Sequence, residues 1–344
     1  MLPAERPIGA HLPLATGLVR AADRAAEIGA SVIQVFADNP AAWKRRDEPA
    51  SELPVFRERL ASHGIRSVAI HASYLINLAG PDPAFREKSV GALAAELAAA
   101  PGYGAQVVNA HIGSHRGAGL DIGIGWLADG IVEAFERAKE QLGAPARPGA
   151  REQLGGLETS SETGHSPAMP ILALENAAGG GWTIGSTIEE LAQVADALGQ
   201  RGVAPGSVGF CLDTAHLWSA GHPIDRPDSF DRLLDGFERE LGLERLVLVH
   251  LNDSSSELGS RSDRHEHLGA GAIGVDGLGH IVRHPSLAHV PYVVETPDMD
   301  LGFDAINVAR ARALLAGEAL GPLPEPPAPV VRAKKRLAPA VPAA

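Results

Sequence analysis

Eight short apolar segments set the terms on which this chain can fold: IGAH, SVIQVF, SVAIHA, VVNAHIG, ILALEN, VGFCLDTAH, LVLVHLND and PYVVET. Each is strand-sized, and each is apolar along its run rather than at every second position. A strand with one wet face alternates; a strand buried on both faces does not, so these segments read as parallel strands covered by helices. Helix-forming stretches with clear start and stop signals lie between them. GLVRAADRAAEIG closes at Gly29, SELPVFRERLASHG closes at Gly64, and STIEELAQVADALGQRG opens on Ser186 or Thr187 as N-cap ahead of Glu189 and Glu190. Strand and helix thus alternate eight times. Open doubly wound sheets share that alternation, but eight units is the number that closes a (β/α)8 TIM barrel, and roughly 250 residues serve such a barrel as one domain. No G-x-G-x-x-G follows the first strand to mark a dinucleotide site. The expectation is an α/β protein, a (β/α)8 TIM barrel over residues 1–320, with polar groups gathered at the C-terminal ends of its strands.

Two segments fall outside the repeat. Residues 143–168 are rich in Gly, Pro, Ser and Glu and read as a flexible surface insertion between the fourth helix and the fifth strand. Residues 321–344 form a Pro/Ala-rich basic tail that is expected to be disordered. The rest has the balance of a protein with a sizeable core, 45% hydrophobic and 21% charged, which excludes wholesale disorder. The single cysteine, Cys211, sits in an apolar run and reads as a small buried hydrophobe. With no basic start leading into an apolar stretch and no run of 18 apolar residues, the expected compartment is the cytoplasm, without membrane contact.

The strand ends carry the chemistry. Polar residues close the apolar runs as His11, Asn39, His71, His111, Glu175, Asp213, His250 and Glu295, and in a barrel all eight positions face one rim. A lone histidine at a strand end is more often bonded to a loop than to a metal. Three histidines (His71, His111, His250) and three carboxylates (Glu175, Asp213, Glu295) converging with no Lys or Arg among them are different, because each unpaired buried carboxylate costs several kcal/mol. Two further spacings add to the set: Asp213 and His216 form D-x-x-H just past a strand, and Asp263 and His265 form D-x-H in the loop after strand seven. His/Asp/Glu sets without cysteine are typical of catalytic rather than structural zinc. By count, nine candidate ligands suit two or three ions.

The strings HASYLIN, NAHIGSH, LALENAAGG, GFCLDTAHLWSAG, HLNDSSSELGSRSDRHEHLGAGAIG and VVETP resemble, in order and spacing, the motifs of the endonuclease IV family of apurinic/apyrimidinic endonucleases. All nine metal-ligand positions of that family are filled. The resemblance implies a barrel holding three zinc ions, with His71 and His111 on the first and Glu175 bridging the first two. Asp213, His250 and Glu295 complete the second, and His216, Asp263 and His265 hold the third; Glu175, Asp213 and Glu295 stand at the catalytic centre. It further implies cleavage of double-stranded DNA on the 5′ side of an abasic site, leaving a 3′-hydroxyl and a 5′-deoxyribose phosphate, by a monomer. Tyr74, Leu75 and Arg261 are the expected DNA contacts.

Charge and departures qualify that picture. With 30 basic and 42 acidic residues the net charge is −12, which excludes a protein that binds nucleic acid through its own basic surface alone. Three zinc ions would bring the total to about −6 and concentrate positive charge in the cleft. Where family members place a lesion-probing Arg after strand two, this chain has Ala41 and Ala42. Trp43, Lys44, Arg45 and Arg46 follow, either as a substitute stacking and phosphate-binding group or as a solvated charge run at a helix start. Arg261 and Arg264 either contact phosphate or buttress Asp253 and Asp263. Two other functions fit the barrel: a metal-dependent sugar isomerase or epimerase of the xylose-isomerase-like type, and a non-catalytic binder of damaged DNA. The D-x-x-H and D-x-H set has no task in the first, and a complete bridging set is superfluous in the second.

Overall fold

The structure, a computed structural model, describes residues 6–46, 49–143 and 169–324. Nearly all of the expected insertion and the tail beyond residue 324 lie outside the described residues. Eight parallel strands close into a barrel: β1 (Ile8–His11), β2 (Val32–Phe36), β3 (Ser67–His71), β4 (Val107–His111), β5 (Ile171–Glu175), β6 (Val208–Asp213), β7 (Leu246–His250) and β10 (Tyr292–Val294). The order around the barrel follows the chain, with β1 pairing β2 on one side and β10 on the other. A short antiparallel hairpin, β8 (Asp253–Ser254) with β9 (His265–Glu266), is inserted after β7.

Helices α1 (Leu18–Glu27), α2 (Leu53–Ser62), α3 (Pro83–Tyr103), α4 (Leu120–Gly143), α5 (Ile188–Gln200), α7 (Pro227–Glu240), α8 (Gly274–Arg283) and α9 (Phe303–Ala316) cover the outside, while the short α6 (Thr214–Ala220) starts at the end of β6 and carries His216 on the rim. The sequence signals place several of their ends. Thr187, rather than Ser186, caps α5 by accepting from the Glu190 amide at 3.2 Å, and the Glu190 carboxylate reaches back to the amides of Gly185 and Ser186. Gly29 and Gly64 follow α1 and α2 with positive φ, as the stop signals require.

Strand periodicity explains how continuous apolar runs end in a polar rim. Side chains two apart share a face. On the inner face Val32, Ala69, Val107, Ala173, Cys211, Leu248 and Val293 pack into one apolar plug. In β1 the same level is taken by Gly9, where a Cβ would overlap the Val32 carbonyl, so that strand contributes backbone alone. Two residues further along each strand the inner face turns polar: His11, Gln34, His71, Asn109, Glu175, Asp213, His250 and Glu295. The outer face carries Ile33, Val35, Ile70, Val108, Leu174, Leu212 and Val249 against the helices, each such side chain stabilising the fold by about 1.5–3 kcal/mol on burial. The plug thus forms the floor of the site, and the C-terminal strand ends form its wall.

Candidate metal centre

The nine candidate ligands meet in three overlapping groups. In the first, the ligand atoms of His71, His111 and Glu175 all lie within 4.8 Å of one another; in the second, those of Glu175, Asp213, His250 and Glu295; in the third, those of Asp213, His216 and His265. Glu175 is shared by the first two and Asp213 by the last two. Asp263 stands 3.2 Å from both His216 Nε2 and His265 Nε2 and closes the third group from the solvent side. Its side chain is 54% exposed, whereas Glu175, Asp213 and His250 are sealed from water.

Four of the five histidines are turned by a partner on the far nitrogen. His71 Nδ1 donates to the Ala72 carbonyl at 2.7 Å, His216 Nδ1 to that of Asn176 at 2.9 Å, and His265 Nδ1 to that of Glu295 at 2.8 Å. All three thereby present Nε2 inward. His250 is reversed: its Nε2 meets Gln34 Oε1 at 3.1 Å and its Nδ1 faces Glu175 and Glu295 at 3.2 and 3.1 Å. A fixed tautomer with one free nitrogen is what a ligating imidazole requires. The carboxylates are held in the same way. Asn109 donates to Glu175 Oε2 at 2.6 Å, Asn252 to Asp213 Oδ2 at 2.7 Å, and Gln34 to Glu295 Oε1 at 2.6 Å. His265 Nε2 is buried without a hydrogen-bond partner although carboxylate oxygens lie 3.2 and 3.5 Å away. An orphaned nitrogen facing two acids, beside imidazoles fixed for ligation, fits a divalent cation in that position.

Proton affinities reflect the same crowding. Burial opposes charge on His216, but Asp213, Asp263 and Glu175 overcome it and push the imidazole up to about 10. For His265 burial is likewise outweighed, by Asp213, Asp263 and Glu295, which raise it to about 9. Burial also disfavours charge on His250, yet Cys211, Glu295 and Glu175 around it hold it well above the ordinary histidine range. Burial would raise Glu175, but His111 and His250 keep it below the ordinary carboxylate range. His71 is the exception: burial drives it down to about 4. Burial pushes the Cys211 thiol up to about 12, consistent with a packed hydrophobe beneath the cluster.

Above the ligands a cleft of about 900 Å³ opens between the loops, lined by His11, Tyr74, Arg46 and Met299 as well as by every ligand except the buried Asp213 and His250. Tyr74 is 61% exposed, with its ring 5.5 Å from that of His71. Leu75 beside it is half-buried. Arg261, exposed and at φ 56°, lines a second recess with His111, His216 and Asp263. The loops are braced by Asn77, whose amide bonds both the Ser114 carbonyl and the Ser114 amide at 3.0 Å. Gly113, at φ 97°, leaves no room for a Cβ beside that side chain.

Several residues stand elsewhere than the sequence suggests. Asn39 lies three residues past the end of β2, and the inward position of that strand belongs to Gln34. Trp43 packs edge-on against Phe85 at 5.1 Å and against the core, so it is no stacking platform. Arg45 is folded onto Asn39 and the buried Glu96. Of that basic run, Arg46 reaches the cleft. Asp253 is buttressed by backbone rather than by Arg264: its carboxylate accepts from the amides of Ser254, Gly269, Gly271, Ile273 and Gly274. Gln34, Asn109, Asn176 and Asn252 were not singled out by sequence reasoning. The signal was present for two of them, since Gln34 and Asn109 are polar residues inside otherwise apolar strands. Trp182, 58% exposed on the rim beside Gly117, had none.

Residues 22–320 match the family described as the xylose isomerase-like TIM barrel. A protein of Methanoculleus marisnigri named probable endonuclease 4 is 36% identical over 307 residues, 89% of this chain and 98% of its own length. The crystal structure of endonuclease IV from Thermus thermophilus superposes with a TM-score of 0.72 at 33% identity, over 90% of this chain and 99% of that one. A D-tagatose 3-epimerase-like protein also superposes, TM-score 0.62 over 90% of this chain and 97% of its own, but at 14% identity it shares the fold alone. With likeness at this level running almost end to end through its relatives, the chain belongs to the endonuclease IV family of the xylose isomerase-like TIM barrels.

Proposed function

We propose that this protein is a zinc-dependent repair endonuclease that hydrolyses the DNA backbone on the 5′ side of an abasic site, leaving a 3′-hydroxyl and a 5′-deoxyribose phosphate. One observation carries the reading: three ligand groups linked through Glu175 and Asp213 at the floor of an open cleft. The endonuclease 4 relatives support it.

His71, His111 and Glu175 would hold one ion, Glu175, Asp213, His250 and Glu295 a second, and His216, Asp263 and His265 a third. Zinc bound there supplies Lewis acidity and positive charge to an in-line displacement at phosphorus. The chain's own residues do the positioning. Asn109 and Asn252 fix the oxygens of Glu175 and Asp213, and the carbonyls of Ala72, Asn176 and Glu295 set the imidazole planes. The apolar plug below excludes water from the underside. Tyr74 and Leu75 fill the space that the missing base leaves, where flipping is cheap because no stacking partner is lost. Arg261 contacts a flanking phosphate. All nine ligands come from one chain, which supports action as a monomer.

A parallel assay separates this reading from the epimerase one. The zinc-loaded protein should nick a duplex with one abasic residue and leave a panel of ketohexoses unchanged; epimerised sugar with intact DNA would reverse the assignment.

A further inference from the structure

A second cluster lies on the outer wall of the barrel. His280 in the last turn of α8 and His284 at its C-cap, four residues on, face Asp231 on α7. Their Nε2 atoms lie 2.6 and 3.4 Å from the same oxygen, Asp231 Oδ1, and one ligand atom from each residue falls within 4.8 Å of the other two. Barrel helices return from the C-terminal strand face to the N-terminal one, so the end of α8 sits at the face opposite the cleft. Arg6, just before β1, bonds the His284 carbonyl at 2.8 Å and agrees with that placement. None of the nine ligands described above takes part.

The geometry is that of a ligand set. Imidazoles four residues apart on one helix face can reach one ion. Bonds of about 2.0–2.1 Å at tetrahedral angles place ligand atoms roughly 3.3 Å apart, the scale of the separations here. Phe230 packs edge-on against both rings, at 6.1 and 5.9 Å, and holds their planes. The three side chains are partly buried, which lowers the entropic cost of ordering them yet leaves an outward position for water.

We propose that Asp231, His280 and His284 form an additional binding site for a borderline divalent transition-metal ion, of the zinc, nickel or cobalt class, that ties α7 to α8. Two nitrogens and a carboxylate oxygen select this class over magnesium or calcium, which prefer all-oxygen shells. An ion held through Nε2 puts the proton of His284 on Nδ1, which is buried without a partner. That unsatisfied N–H makes the site weaker than the central groups, so it fills only with free metal in the buffer and empties on desalting. By binding the folded chain alone, the ion raises its thermal stability.

The test is equilibrium dialysis of the zinc-loaded protein at micromolar free zinc, comparing wild type with the double variant H280A/H284A. Wild type is expected to carry one ion more, and Asp231→Asn to weaken that extra ion about tenfold or more. Added nickel should raise the melting temperature of wild type and leave that of the double variant unmoved. Equal ion counts in wild type and variants, with equal nickel shifts, would mean a plain His–Asp hydrogen bond and overturn the proposal. If the double variant does not fold, Asp231→Ala, at a half-exposed position, carries the same comparison. The site does not rest on the nuclease reading, and DNA nicking is not among its readouts.

Discussion

Glu175 concentrates the argument at the scale of single residues. One of its oxygens is fixed by Asn109 and faces His71 and His111, and the other faces His250 and His216. Glu175→Gln keeps the shape and the hydrogen bond but removes the charge shared by two ligand groups. Cleavage of abasic DNA is expected to fall by several orders of magnitude while the circular dichroism spectrum and melting stay near wild type. Near-normal turnover at saturating zinc would remove the bridging role. Tyr74 makes the second test. Its ring rests against Phe36 and His71 with most of its surface open to the cleft, whereas Trp43 is packed away and Ala41 is too short to reach the lesion. Tyr74→Ala should weaken binding of abasic duplex by about 1–3 kcal/mol, the range for one lost aromatic stacking contact. Affinity for intact duplex, measured side by side, should change much less; equal losses on both would mean general damage to the loop.

Among the elements, the barrel strands were legible because their chemistry is periodic and their ends are marked. Seven of the eight strand-end residues read from the sequence stand on the inner wall; Asn39 does not, since the loop after β2 begins at once and hides the strand's true inward residue, Gln34, inside an apolar run. The asparagines that orient the carboxylates escaped for a related reason. A pattern shows that Asn176 and Asn252 follow strands, but only the closed barrel shows that Asn252 bonds the carboxylate of Asp213 on the neighbouring strand and that Asn176 bonds the backbone of the same residue. The hairpin β8–β9 is the least legible element, two residues per strand in a Gly/Ser-rich loop, and it brings His265 onto the rim next to Asp263. Its anchor is Asp253, which gathers five backbone amides. Asp253→Ala leaves those buried donors without an acceptor and should cost about 2–4 kcal/mol in denaturant unfolding. The same variant should lose metal from the third group before the first two. Unchanged stability would show that water replaces the carboxylate without loss.

At the scale of the whole molecule, the rim without cations is an acid cluster balanced by protons. His216, His265 and His250 hold theirs well above neutral pH, and His71 gives its proton up near pH 4. Metal ligation needs all four neutral, so loading the metal-free protein at pH 7 should release about three protons. Calorimetry in buffers of different ionisation enthalpy reads that number, and none released would contradict the cluster's electrostatics. The sign for stability follows from the same groups. Folded-state values raised to about 10 and 9 stabilise the metal-free fold fully below pH 6.5, and that contribution is lost as pH rises through 9 to 10. The metal-free protein should therefore melt at falling temperature across that window, and the loaded protein should not follow it. Whether this rim makes an acidic barrel act on abasic DNA is read from the cleavage product. An end-labelled duplex with one tetrahydrofuran residue is incubated with the protein, with and without a strong chelator, and the cut strand is offered to a DNA polymerase. The expected product is a single nick immediately 5′ to the tetrahydrofuran with a 3′ end that the polymerase extends, and no nick after chelation until zinc is restored. A strand left whole in the presence of zinc, a cut on the 3′ side, or equal cutting of the intact duplex would contradict it.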